Sequence, residues 1–361
     1  MALTKAQKTQ LVRDYILARA PEHPDKVATM AGKRFSITRQ AVNRHVKALV
    51  DDGLLRVEGR TQGTMYVALA RKREATFLVA GLQEHEVWDS LASPVLSDLN
   101  ENVDGICHYG FTEMLNNVVD HSGSENVFVE VIRKPKEIKI SLHDFGVGIF
   151  DKIQRGCGLE NKRHAIFELT KGKLTTDPER HTGEGIFFTS RMFDSFAILS
   201  GHLYLRHVRE QDDWLVADEA PSEPVSGGTH VVLKIDPNST HTQNEVFDRY
   251  QSEQDDYAFN RTRVLVGLAH QGEALVSRSQ AKRILSRLER FKEVVLDFSH
   301  VPEIGPSFAD EIFRVYRDSH PLVSIVPMGA SEAVTRMIRR AQSAETAASP
   351  SPSFGPNGIE K

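Results

Sequence analysis

The stretch GFTEMLNNVVDHS, residues 110–122, predicts one helix with two different faces. An apolar stripe recurs at the helical spacing and consists of Phe111, Met114, Leu115, Val118 and Val119. A polar stripe beside it consists of Glu113, Asn117, Asp120 and His121. The Asn117 amide oxygen can bind Mg²⁺ directly, and the Glu113 carboxylate one turn away can orient or deprotonate a water or hydroxyl. Most polar helical stripes simply face solvent, so the helix alone leaves both interpretations open.

A glycine-bearing turn follows the next two strand-like runs. EIKISL predicts a strand, and the following HDFGVGI places Asp144 at its end, with Gly146 and Gly148 behind it. Glycines at such a position let the backbone approach a planar ligand, and a carboxylate can accept a hydrogen bond from an exocyclic amine. Chance occurrences of this spacing are frequent, so the turn alone decides little.

Two further segments carry glycines at helix or strand starts. HTGEGIFF places Gly183 and Gly185 at the start of a predicted helix, where free N–H groups favour phosphate. GGTHVVLKI opens a strand whose first residues include Thr229. Residues 149–182, between the turn and the predicted helix, are expected to be rich in loops.

In this order, the four motifs resemble the GHKL ATPase family, which includes gyrase, chaperone, histidine-kinase and mismatch-repair ATPases. The resemblance covers residues 81–236 and implies helices packed on one face of a mixed sheet, with ATP and Mg²⁺ as cofactors. It makes Glu113 the general base, Asn117 the Mg²⁺ ligand and Asp144 the adenine-binding carboxylate. It assigns the remaining nucleotide contacts to Gly146, Gly148, Gly183, Gly185 and Thr229.

The same resemblance makes residues 149–182 a nucleotide lid. Lys171 and Lys173 are then candidate phosphate contacts, although a solvated basic loop is the simpler interpretation. Sensor histidine kinases usually have a lysine where Asp120 stands, whereas the NVVDHS ending is similar to anti-sigma-factor kinases. Histidine autophosphorylation is therefore not expected.

The first 80 residues alternate three helical patterns with short breaks and end in a predicted hairpin at residues 54–69. This order resembles bacterial winged helix-turn-helix regulators and implies a third helix in the major groove of double-stranded DNA. Residues 1–73 hold 15 Lys and Arg against 6 Asp and Glu, a net charge of +9, which favours a nucleic-acid partner. A protein-binding winged helix and a solvated basic face are the alternatives. The residues expected at bases and phosphates are Arg39, Gln40, Asn43, Arg44, Lys47 and Arg60.

From residue 261 onward, strand and helix patterns alternate, which predicts a small sheet with covering helices. KEVVLDFSHVPEIGPSFADEIF, residues 292–313, resembles the STAS domains of anti-anti-sigma factors. The resemblance places Ser307 at the position of their phosphorylatable serine and implies a protein partner. Ser307 is equally well explained as a helix N-cap with Asp310 as its capping-box partner.

Composition limits the remaining classes of protein. The 361 residues are 40% hydrophobic and 26% charged, with a net charge of −4, which is typical of a globular protein. Two cysteines, Cys107 and Cys157, exclude a disulfide framework and favour a reducing compartment. No apolar run approaches the roughly 20 residues of a membrane helix, so we expect a cytoplasmic protein without a membrane partner.

We therefore expect a multidomain α+β protein. Its parts are a winged helix-turn-helix (1–80), a GHKL α/β sandwich (81–236), a linker (237–260), a small STAS-like α/β domain (261–341) and a disordered tail (342–361). The expected function is regulation of bacterial transcription or stress responses by coupling Mg-ATP binding to DNA binding and the STAS-like module. One alternative is a protein-serine kinase acting on Ser307 or on a partner STAS domain, and another is a non-catalytic transcription factor with a nucleotide-sensing site. The sequence leaves open whether the protein is an enzyme, an ATPase or kinase, and whether it forms a homodimer.

Overall fold

The computed structural model describes residues 5–59, 63–97, 99–175, 182–210, 213–217, 227–252, 258–270 and 274–343. Its residues within Met1–Ile166 and Leu174–Val246 form one compact unit, and those within Phe167–Lys173 and Phe247–Lys361 form a second. The seven residues 167–173 therefore belong to the C-terminal unit, although the sequence places them inside the predicted GHKL domain. No helix in the described ranges combines the length and the apolar character needed to cross a membrane.

Three helices and a hairpin form the N-terminal part of the first unit. They are α1 (Lys5–Arg19), α2 (Val27–Phe35), α3 (Arg39–Asp51), β1 (Leu55–Glu58) and β2 (Met65–Ala68). The Thr38 hydroxyl accepts a hydrogen bond from the Ala41 N–H at 3.2 Å, which satisfies one free donor at the start of α3. The helices bury Ile16, Val27 and Leu49 in a common core, and β1 pairs antiparallel with β2. The elements follow the predicted order.

Seven strands form the main sheet of the first unit. They are β3 (Arg71–Leu78), β4 (Asn126–Lys134), β5 (Glu137–Asp144), β6 (Ser195–Ser200), β7 (Leu203–Val208), β8 (Asp213–Ala217) and β9 (Thr229–Ile235). Their order across the sheet is β3-β4-β5-β9-β6-β7-β8. Alternate residues of β4, from Val127 to Val131, are completely buried and mark the inner face. Asp144 and Thr229 stand opposite each other where β5 ends and β9 begins.

Helices cover the inner face of this sheet. They are α4 (Glu84–Val87), α5 (Ser93–Leu96), α6 (Glu101–Asn117), α7 (Ile149–Gly156), α8 (Lys162–Lys171) and α9 (Gly185–Met192), with π-helical turns at Trp88–Ala92 and Val118–Ser122. α5 packs on β3 and β4, α6 packs on β5 and β9, and α9 packs on β6. Helix α6 buries Phe111, Met114 and Leu115 almost completely, so the predicted apolar stripe holds the core.

The sheet differs from the expectation in three respects. All of its described pairs are antiparallel, because β9 enters between β5 and β6 and runs opposite to both; the expected mixed sheet is therefore wrong. Edge strand β3 lies before the predicted boundary at residue 81, and its exposed, charged residues give no apolar alternation to detect. Edge strand β8 was also not predicted. The stretch expected to be loop-rich instead contains α7 and α8.

The second unit is an α/β arrangement around a three-stranded sheet. Around the passage from the first unit to the second lie α10 (Gln243–Tyr250), β10 (Gln251–Ser252) and β11 (Ala258–Phe259). The sheet consists of β12 (Arg261–Leu265), β13 (Glu293–Asp297) and β14 (Ser324–Met328), which are parallel and lie in chain order. Its helices are α11 (Val266–His270), α12 (Arg278–Leu285), α13 (Pro306–Asp310), α14 (Arg317–Ser319) and α15 (Glu332–Ser343), with a π-helical turn at Glu311–Tyr316. This is the predicted alternation of strands and helices. The predicted disordered tail lies outside the described residues from 344 onward.

Candidate functional site

Helix α6 changes its hydrogen bonding at the motif that opens the sequence. It begins at Asn100, whose side chain accepts from the Val103 N–H at 2.9 Å, and it ends at Asn117, where a π-helical turn takes over. Single π-helical turns occur frequently at functional sites. The wider turn displaces the residues after Asn117 from the spacing that the polar stripe assumes. Asp120 is exposed, and the His121 carbonyl accepts from Lys152 Nζ of α7 at 2.7 Å.

Glu113 lies against the first residue of α9. A Cβ atom placed on Gly185 would be only 1.9 Å from Glu113 Oε2, so the close approach depends on a residue without a side chain. Free N–H groups and the positive end of the helix dipole make a helix start favourable for an anion. The structure thus brings the proposed general base and the proposed phosphate-binding loop together.

Tyr109 and Glu184 belong to the same region, and the sequence reasoning missed both. Burial raises the pKa of the Tyr109 phenol, and the charges of Glu113 and Glu184 raise it further. The phenol therefore lies within electrostatic reach of both carboxylates. A signal was available, since Tyr109 precedes Glu113 by one helical turn and Glu184 stands between Gly183 and Gly185.

Asp144 is a buried, hydrogen-bonded carboxyl group at the end of β5. Only 3% of the residue is exposed, and its carboxylate accepts from the Gly146 N–H at 2.9 Å. Burial raises the pKa of Asp144, against hydrogen bonds from Gly146 and from the backbone and side chain of Thr229. The Thr229 hydroxyl in turn accepts from the Ile149 N–H at 2.9 Å. Asp144 and Thr229, which are 85 positions apart in sequence, thus form one polar cluster.

The two glycines after Asp144 meet different requirements of the fold. A Cβ atom on Gly146 would be 2.0 Å from the Ser122 carbonyl oxygen, so this glycine lets the turn pack on the end of the π-helical turn. The Val147 N–H donates to the same oxygen at 2.9 Å. Gly148 begins α7 with a positive φ of 78°, a backbone conformation that favours glycine. We expected these glycines to face a ligand, whereas Gly146 approaches the protein's own backbone.

Other predicted site residues fall at the edges of the described chain. Gly183 adopts a positive φ of 72°, and residues 176–181 before it lie outside the described residues. Among the described residues, no group of three or more His, Cys, Asp and Glu side chains could hold a metal ion. Asn117, half-buried at the end of α6, could therefore serve Mg²⁺ only together with nucleotide phosphates and water.

Lys171 does not have the environment expected of a lid residue. It is 1% exposed, and its ammonium group pairs with Glu168 at 2.5 Å. Both proposed roles for Lys171, a phosphate contact and part of a solvated basic loop, are wrong for this arrangement because its ammonium group is already buried against carboxylate and carbonyl oxygens.

The predicted DNA-reading residues share the exposed face of α3. Helix α3 buries Val42, Val46 and Leu49 on its other face. Burial lowers the pKa of His45, and the positive charges of Arg13 and Arg44 lower it further, which is consistent with a positive potential around the helix. The exposed residues are Arg39, Gln40, Asn43, Arg44 and Lys47. Arg60 lies outside the described residues.

A buried carboxylate organises the loop between β13 and α13. Asp297 is completely buried and accepts from Arg263 Nε at 3.0 Å and Nη2 at 2.5 Å, and from the Ser299 N–H at 2.8 Å. Burial opposes ionisation, but the hydrogen bonds from Ser299 and Arg263 outweigh it, so the pKa of Asp297 lies below its ordinary value. Asp297 therefore holds this loop from within.

Ser307 is exposed in the first turn of α13 and does not cap it. The N-cap is Gly305, and Pro306 occupies the first helical position, where its fixed φ and missing N–H are favourable. The expected capping box is therefore wrong. Asp310 instead accepts from Arg314 at 2.5 and 2.7 Å and from Arg278 at 3.1 Å.

Residues 280–335, which include Asp297 and Ser307, match the family model described as "STAS-like domain of unknown function (DUF4325)". The chain contains a STAS-like domain. The match confirms the resemblance of the C-terminal sequence and fits a regulatory module with a protein partner. No curated protein matches the chain. The STAS-like domain lies within the second unit, which also contains residues 167–173.

Proposed function

We propose that this protein is a regulator that binds Mg-ATP in its first unit and couples that binding to DNA binding and to the STAS-like domain. The observation that carries the proposal is the polar site at the ends of β5 and α6. Asp144 and Thr229 are hydrogen-bonded at one strand end, and Glu113 lies against the start of α9. A buried carboxylate and a free helix start are suited to an adenine amine and to phosphates, respectively.

Each residue has a distinct role in this proposal. Asp144 accepts a hydrogen bond from the adenine amine, and Thr229 holds its carboxylate in place. The N–H groups at the start of α9 bind phosphate, and Asn117 ligates Mg²⁺. Glu113 orients or deprotonates the nucleophile. Bound Mg²⁺ would neutralise phosphate charge and polarise the transferred group.

Titration calorimetry with Mg²⁺ and a non-hydrolysable ATP analogue tests the binding step. We expect saturable binding to the wild type and a loss of at least about tenfold in Asp144→Asn, the effect of leaving a buried polar group mispaired. Asp236→Asn is the matched control, because Asp236 is exposed beyond the far end of β9. The absence of binding, or equal binding by Asp144→Asn, would refute the ATP site.

Serine phosphorylation is the second candidate function, and the environment of Ser307 favours it. The hydroxyl is exposed and has no capping role, while the N–H groups of the first helical turn would stabilise a phosphate. Mass spectrometry after incubation with Mg-ATP is the test, with Ser307→Ala as the blank. Unmodified Ser307 in the wild type would reject phosphorylation of this domain in cis.

A non-catalytic nucleotide sensor is the third candidate. Glu113→Ala separates it from an ATPase, because this change removes the proposed base but none of the contacts assigned to adenine. We expect the variant to bind the ATP analogue as the wild type does. If the wild type itself hydrolyses no ATP under saturating Mg-ATP, the sensor is the correct description.

A further inference from the structure

Residues 167–173, which we call the strap, are built into the second unit. All five residues from Phe167 to Lys171 are buried, and Phe167 and Leu169 add apolar surface to this burial. The Thr262 hydroxyl, completely buried on β12, donates to the Lys171 carbonyl at 2.6 Å. The strap thus contributes to the sheet-bearing unit although it precedes β12 by about ninety residues.

Lys171 stabilises the C-terminal end of α12. Its ammonium group donates to the carbonyl oxygens of Ser286 at 2.9 Å and Arg283 at 3.4 Å, the last turn of that helix and its C-cap. A cation at a helix C-terminus satisfies free carbonyls and interacts favourably with the helix dipole. Glu168 of the strap balances the charge of Lys171 at 2.5 Å. Helix α12 therefore depends on a side chain that its own sequence does not supply.

The far end of the strap is held in the same unit. Lys173, with a left-handed φ of 52°, donates to the Arg290 carbonyl at 2.9 Å and lies 4.9 Å from the centre of the Phe291 ring. Its own carbonyl accepts from Arg287 and Arg290, each at 3.1 Å. These contacts fix the strap at both ends.

The strap also falls within residues 149–182, the stretch that would close over a nucleotide. Lys171 cannot lie buried against α12 and reach a phosphate at the same time. We propose that the strap has two positions, one docked on the STAS-like domain and one released when the lid closes on Mg-ATP. Release uncovers the carbonyls of Arg283 and Ser286, so that the state of the nucleotide site reaches helix α12. This inference rests on the proposed ATP site.

Hydrogen–deuterium exchange on the full chain, with and without Mg²⁺ and a non-hydrolysable ATP analogue, is the direct test. We expect the nucleotide to raise exchange in peptides covering residues 162–175 and 278–290. Two variants weaken docking from opposite sides, Lys171→Met in the strap and Thr262→Val in β12. Because docking competes with lid closure, each should bind the analogue more tightly. The expected gain is roughly two- to tenfold, the range spanned by one net hydrogen bond.

Lys282→Met is the control, because Lys282 is an exposed lysine on α12 itself; its affinity and exchange should equal those of the wild type. Thr262→Val keeps the test decisive if Lys171→Met does not fold. Binding of the analogue with unchanged exchange in both peptides, and unchanged affinity in Thr262→Val, would overturn the two-position strap and leave the ATP site intact. A wild type that binds no analogue would overturn both.

Discussion

Replacing Gly185 by alanine separates the proposed catalytic geometry from the stability of the fold. The new Cβ atom would stand 1.9 Å from Glu113 Oε2, whereas ordinary contacts begin at 3.4 Å. Glu113 Oε2 must therefore withdraw by about 1.5 Å, the difference between these two distances. The clashing atom is the end of a flexible side chain, so the withdrawal is inexpensive.

The stability of the variant should change little. Gly185 is the first residue of α9 and has no positive φ, so alanine fits its backbone. Alanine in place of glycine favours a helix by up to about 1 kcal/mol in a helix interior, and by less at a terminus. We expect the free energy of unfolding to stay within about 1 kcal/mol of the wild-type value, measured by urea denaturation.

ATP turnover should respond much more strongly. A displacement of about 1 Å in a catalytic group can cost on the order of a hundredfold in rate, so we expect kcat to fall by roughly that factor. Gly105→Ala is the matched control, because Gly105 lies within α6 and its new Cβ would make an ordinary 3.7 Å contact with Gln243. Steady-state hydrolysis and calorimetry measure kcat and ATP affinity separately.

Two results would refute this reasoning. Turnover within threefold of the wild type would mean that the position of Glu113 against α9 has no part in catalysis. A loss of stability above about 2 kcal/mol would mean that Glu113 cannot withdraw and that the contact is a packing requirement of the fold.

Three further predictions concern other parts of the chain. Gly146→Ala should unfold at markedly lower urea concentration than the wild type, since its Cβ would lie 2.0 Å from a backbone oxygen of Ser122 that cannot withdraw alone; an unchanged midpoint would contradict the observed packing. Arg44→Ala and Lys47→Ala should each lower the slope of log K against log salt for duplex DNA by about 1 if they contact phosphates, as binding titrations at several salt concentrations would show. Asp297 has a lowered folded pKa, so its stabilisation is present above its unfolded pKa of about 3.9 and is lost as pH falls through the folded value. Asp297→Asn should therefore flatten the acid side of the stability profile, and an unchanged profile would contradict that assignment.

The sequence predicted the local elements well wherever the side-chain pattern had one cause. The apolar stripe of α6 predicts a buried helix face, and Phe111 and Leu115 are completely buried. Alternation predicts β4 and β5, whose inner residues are buried. β3 was missed because an exposed edge strand carries charges instead of alternating apolar residues.

The candidate site was predicted as residues and not as geometry. The motifs pointed to Glu113, Gly185, Asp144 and Thr229, but no spacing along the chain shows that Glu113 meets Gly185 or that Asp144 stands opposite Thr229. Such proximity arises from the pairing of β5 with β9 and the packing of α6 on α9. It also drew in Tyr109 and Glu184, which no motif identified.

The sequence alone thus determined the order of elements, the basic character of the first 73 residues and the STAS-like C-terminal region, because each depends on residues close together in the chain. The tertiary structure decided what depends on distant partners. Pro306 fixes where α13 begins and leaves Ser307 exposed. Lys171, which has the sequence context of a lid residue, satisfies the carbonyls at the end of α12. A buried charge must find oxygen partners wherever the fold supplies them, and the chain order does not show where that is.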